Sequence, residues 1–135
     1  MRRTTRGLLL AAVALLAGAA LAGGKAPTIK DIMSRLNKPG GLYPSISKEL
    51  KADDTDWDEV HDQSKTFAKL AAELGKNTPP KGSPESWAKL TKEYADNARL
   101  LEQAAAKRDR TAANAARSRL GNDACKTCHK EHMKK

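Results

Sequence analysis

The chain has 135 residues, with 25 Lys and Arg against 16 Asp and Glu, a formal net charge of +9 and two cysteines. That length suits one small domain. The basic residues are interleaved with acids along helical segments, which speaks against a nucleic-acid surface and for a solvated face or steering toward an acidic partner.

The first residues read as an address. Arg2, Arg3 and Arg6 precede an apolar run that starts at Leu8 and closes on the small-residue stretch Ala20-Leu21-Ala22, the order of a secretory signal peptide. The apolar run is about 15 residues and contains Gly18, short of the roughly 20 that a spanning helix needs, so a membrane anchor is the weaker reading. The expectation is a signal peptide over residues 1–22, cleaved near Ala22, and a periplasmic domain over residues 23–135. Loss of the three arginines lowers the charge to about +6, still basic. Tyr43, Trp57, Phe67, Trp87 and Tyr94 are the whole aromatic complement, a thin core that a large flat apolar ligand would thicken.

Thr28, with Asp31 three residues on, forms a helix start. Ile29, Ile32, Met33 and Leu36 fall on one helical face. Pro39-Gly40-Gly41 interrupts, and Leu42, Tyr43, Ile46 and Leu50 resume the spacing, so the first helix is expected in two pieces, 28–37 and about 44–51. Asp53 to Asp56 is a cap-rich turn. Trp57, Val60, Phe67, Leu70, Ala71 and Leu74 mark a second helix that Gly75 can end. Residues 76–82, with Pro79 and Pro80, form a loop. Ser83-Pro84-Glu85 opens a third helix, carried by Trp87, Leu90, Tyr94, Ala98 and Leu101 to about Lys107. Asp109 or Thr111 caps a fourth, which runs through Ala112, Ala116 and Leu120 toward the cysteines. No strand alternation interrupts this series, and the expected fold is all-α, an antiparallel four-helix bundle. The alanines of the last two helices fit high helix propensity, close helix packing, or room left for a cofactor between the helices.

Cys125-Lys126-Thr127-Cys128-His129 has the spacing of covalent haem attachment. On a helix Cys125, Cys128 and His129 lie at i, i+3 and i+4, so two thiols and an imidazole share one face. Both thiols can then add to haem vinyl groups while the imidazole reaches the iron. A redox-active cysteine pair, a disulfide, or half of a zinc site completed by His132 are the competing readings.

With this motif at the extreme C-terminus of four amphipathic segments, and with Ile32-Met33 on the first, residues 28–135 resemble the class II c-type cytochromes, the cytochrome c′ family. Where the family often has an aromatic residue and then Arg or Lys just after the ligand histidine, this chain has His132-Met133. The resemblance implies one covalent haem c held by Cys125 and Cys128, with His129 as proximal iron ligand. It further implies that the first helix covers the opposite haem face, where Met33 matches the position of the thioether ligand of some members. Other members leave the iron five-coordinate, and Met33 would then be a core residue of its stripe.

His61 is a rival distal ligand, or a histidine near the surface beside Asp58 and Asp62. His132 and Met133 stand too close along the chain to His129 to cross the porphyrin plane. Trp57, Phe67, Trp87 and Tyr94 read as bundle core. Lys126, Lys130, Lys134 and Lys135 surround the attachment motif, where they suit a helix C-terminus or the docking of an acidic redox partner. The expected function is that of an electron carrier with transient protein partners, not an enzyme. A gas-binding cytochrome is the alternative, and a peroxide-active haem enzyme a more distant one. Pairing of two copies through the first two helices is compatible with the family.

Overall fold

The computed structural model describes residues 25–134, all of whose regular structure is helical. Six α-helices follow in order: α1 (Ile29–Asn37), α2 (Leu42–Glu49), α3 (Trp57–Leu74), α4 (Pro84–Ala106), α5 (Arg110–Arg119) and α6 (Cys125–His132). A π-helical turn, Leu120–Ala124, joins α5 to α6 without a break. The chain therefore forms four helical units: the split pair α1–α2, then α3, then α4, then α5–α6. Among the described residues, no helix is long and apolar enough to cross a membrane. The expected signal segment lies outside them.

Local chemistry sets most helix starts. Thr28 Oγ1 accepts from the Asp31 N–H at 3.1 Å while the Asp31 carboxylate accepts from the Thr28 N–H, also at 3.1 Å, a closed capping box. Asp56, Ser83 and Asp109 cap α3, α4 and α5 through side-chain oxygens. Gly40, at φ +80°, makes the turn between α1 and α2. Gly41 then precedes α2, which begins at Leu42, two residues before the expected start. A Cβ at Gly41 would stand 2.8 Å from the Lys38 carbonyl oxygen, so the tight turn needs glycine there. Pro44 falls in the first turn of α2, where its missing N–H costs nothing.

Gly75 follows α3 in a right-handed conformation, so it does not act as a left-handed terminator. A Cβ at this position would meet Thr91 Oγ1 at 3.0 Å, so the glycine serves the close approach of α3 and α4.

These two helices form the largest interface, and α4 continues it onto α5. Phe67 and Tyr94 pack across it with ring centroids 5.8 Å apart. Ala98, Ala104, Ala105, Ala113 and Ala116 are buried, whereas Ala106, Ala112 and Ala115 are exposed. The first group allows close helix approach and the second contributes helix propensity alone.

Arg110 secures the α2–α3 connection to the start of α5. Its guanidinium donates to the carbonyls of Leu50 (2.7 Å) and Ala52 (3.1 Å) and to Thr55 Oγ1 (2.8 Å), and lies 5.7 Å from the Trp57 ring centroid.

Candidate cofactor site

The sequence motif lies on α6, directly after the π-helical turn. Two carbonyls at this wide turn accept from side chains. The Cys125 thiol donates to the Leu120 carbonyl at 3.1 Å. The Tyr43 hydroxyl, from α2, donates to the Arg117 carbonyl at 3.1 Å. Gly121 provides the room, since a Cβ there would occupy the space of the Tyr43 hydroxyl.

A cleft of about 740 Å³ opens between α1, the loop after α3 and α6. Met33 lines it from α1, and Cys128 and His129 line it from α6. Leu74 and Trp87 contribute apolar wall. A second, small cavity of about 30 Å³ is lined by Cys125, Leu90 and Tyr94, and shares Met33, Leu74, Cys128 and His129 with the cleft wall. The two cysteines and the histidine of the motif thus border one small cavity together with the methionine of the α1 face.

Both cysteines are free and half-buried. Burial pushes the Cys125 thiol above its usual range. Burial, then the neighbouring Cys125 and Glu131, does the same to Cys128. Such thiols remain S–H at neutral pH, unlike the activated thiolate of a redox-active pair. Burial also raises the Tyr94 hydroxyl strongly, with Asn37 as a partly offsetting hydrogen-bond neighbour, so it stays a neutral phenol.

The cleft fits a large prosthetic group in three respects. Its volume is in the usual range for cofactor pockets, it has apolar side chains along its wall, and imidazole and thioether donors enter it from different helices. These residues suit haem better than zinc, for which a soft methionine thioether is an unusual donor.

His132 is withdrawn from any such role. It is buried, at 2% exposure, with Nδ1 2.8 Å from the Lys81 carbonyl and Nε2 3.1 Å from Ser86 Oγ, and its ring stands edge-on to Trp87 at 5.3 Å. A carbonyl can only accept, so Nδ1 carries the proton. Ser86 also hydrogen-bonds the Glu131 carboxylate. The end of α6 is thereby fastened to the loop before α4, an anchor that sequence spacing could not reveal because Lys81 lies 51 residues away.

That loop is held elsewhere too. The Trp87 indole donates to the Asn77 carbonyl at 2.7 Å, and the Asn77 amide donates to the Pro27 carbonyl at 3.2 Å.

His61 is half-exposed on α3 and is not part of the cleft wall formed by the described residues. Met133 lines the cleft but is 55% exposed. Trp57 packs under Arg110, and Phe67 lies in the core, while Trp87 and Tyr94 combine core packing with a place on the cavity wall. Lys126, Lys130 and Lys134 are exposed, and Lys135 lies outside the described residues. Lys30 and Lys38 add two positive charges on the α1 side of the cleft. Asn37, which sequence reading passed over, donates its amide N–H to Met33 Sδ at 3.5 Å. Its spacing of four residues from Met33 on a helix was the available clue. Compared with known protein families, curated proteins and solved structures, the chain matches none.

Proposed function

We propose that the protein is a periplasmic monohaem c-type cytochrome of the class II type, an electron carrier built on an antiparallel four-helix bundle. The observation that carries this reading is that Met33 on α1 and Cys128 and His129 on α6, far apart in sequence, line one cleft of about 740 Å³. The bundle topology is supported by three ties: Arg108 at the end of α4 with Asp58 at the start of α3, Asn77 after α3 with Pro27 before α1, and Ser86 at the start of α4 with His132 at the end of α6.

In this account Cys125 and Cys128 hold the haem through two thioethers. Each S–H would add across one haem vinyl double bond, sulfur to one carbon and hydrogen to the other, with no net oxidation or reduction. His129 ligates from α6 and Met33 from α1. When bound, haem supplies a one-electron ferric/ferrous couple, whose potential a thioether ligand raises. Leu74 and Trp87 exclude water from the site, and His132 fixes the end of the helix that carries His129. Lys30 and Lys38 on the cleft wall, with the exposed Lys126, Lys130 and Lys134 on and just after α6, supply positive charge for brief encounters with acidic redox partners.

A gas-binding cytochrome is the second reading. Its support is the apolar wall of Ile29, Leu74 and Trp87 beside Met33, which would receive a small neutral gas if the sulfur stayed off the iron. Absorption spectra of the ferrous protein with and without carbon monoxide decide between them. A low-spin spectrum unchanged by the gas, converted to a gas-binding one by Met33→Ala, is the expected result. A high-spin wild-type protein that takes up carbon monoxide would overturn the electron-carrier assignment.

A further inference from the structure

The Met33 sulfur already has a partner. Asn37 stands four residues further along α1, on the same cleft wall, and its Nδ2 lies 3.5 Å from Met33 Sδ, an ordinary distance for an N–H donor to sulfur. Thr28 and Asp31 close the capping box at the start of α1, and Ile32 and Leu36 are fully buried, so the backbone that carries both side chains is firmly seated. The Asn37 amide has two N–H groups, and the buried Tyr94 hydroxyl is the second group that it neighbours. A thioether sulfur has two lone pairs. One accepts from Asn37, which leaves the other for a metal.

Resting on the His129/Met33 reading, we infer that Asn37 is a positioning residue for the distal ligand: its amide holds Met33 in the rotamer that faces the cleft and draws electron density from the sulfur. Two consequences follow from the chemistry. Loss of the hydrogen bond loosens the Met33 side chain, which has three rotatable bonds and is only partly buried against the core, so an external ligand competes more easily for the distal position. A sulfur without the N–H donor also gives more density to the iron, which favours the ferric state and lowers the potential.

The test uses holoprotein made together with haem-attachment machinery, and it reads the ferric protein's affinity for imidazole and its reduction potential. Asn37→Leu keeps the size of the side chain and removes the donor, and Asn37→Asp offers only acceptors at neutral pH. Both are expected to bind imidazole about fivefold more tightly than wild type, the worth of one ordinary hydrogen bond, and to have a lower potential. Wild-type affinity and potential in both variants, alongside loss of low-spin character in Met33→Ala, would overturn this inference alone. A Met33→Ala spectrum identical to wild type would overturn the ligand assignment and this inference with it.

Discussion

Tyr43 on α2 and Gly121 in the π-helical turn occupy a single space: the tyrosine hydroxyl stands where a Gly121 side chain would be and donates to the Arg117 carbonyl. This contact is the lock between the first helical unit and the helix that carries the cysteine motif. Gly121→Ala is therefore expected to destabilise the protein by about 1–3 kcal/mol through overpacking. In a Tyr43→Ala background the same change should be neutral or stabilising, since alanine exceeds glycine in helix propensity by up to about 1 kcal/mol. Denaturant unfolding of the four proteins measures this coupling, and additive effects would contradict the lock.

His132→Ala removes a buried ring with partners on both nitrogens and an edge-on tryptophan. Unfolding free energy should fall by about 2–4 kcal/mol, while the ligand-sensitive absorption bands of the proposed haem-bound form keep their positions. A shift of those bands to a different ligand set would show that His132 reaches the iron. Gly82→Ala should mimic the stability loss, because Gly82 has φ +86° and a Cβ there would lie 2.5 Å from His132 Nδ1.

Arg110→Lys keeps the charge and loses the fork that serves Leu50, Ala52 and Thr55. A cost of about 1–3 kcal/mol is expected. Equal stability of the Arg110→Lys variant and the wild-type protein in denaturant unfolding would show that charge alone matters here.

The Thr28 hydroxyl, followed by the Thr28 backbone N–H, holds the Asp31 carboxyl below its ordinary value of 3.8. A depressed folded-state value means that the stabilisation is complete above the unfolded value and is lost as pH falls through the lower folded one. Stability should thus decline below about pH 4, and Asp31→Asn should flatten that part of the profile. An unchanged acid slope in Asp31→Asn would remove the capping box from the account.

The starts of α1, α3, α4 and α5 were legible because each is written in a local cap: Thr28 with Asp31, Asp56, Ser83-Pro84 and Asp109. The helix α2, capped by no side chain, started earlier than its spacing suggested. The π-helical turn was not read, although Ala116, Leu120, Ala124 and Cys128 carry its trace. Spacing of four drifts by about 40° per step on an α-helix, and a wider turn absorbs the drift so that these residues continue to face inward. Cys125, Cys128 and His129 announced themselves by spacing. Met33 stood out on an apolar face and by resemblance, and the structure adds that it borders a small cavity with all three and the large cleft with Cys128 and His129. The His132 anchor and the Tyr43–Gly121 lock were invisible because each depends on a partner far along the chain, Lys81 in one case and α2 in the other.

Intact mass under denaturing conditions tests the central claim most directly, on protein produced together with haem-attachment machinery. The expected mass is that of the mature chain plus one haem, with the added mass lost when Cys125 and Cys128 are both replaced by serine. A mass equal to the bare chain would contradict it.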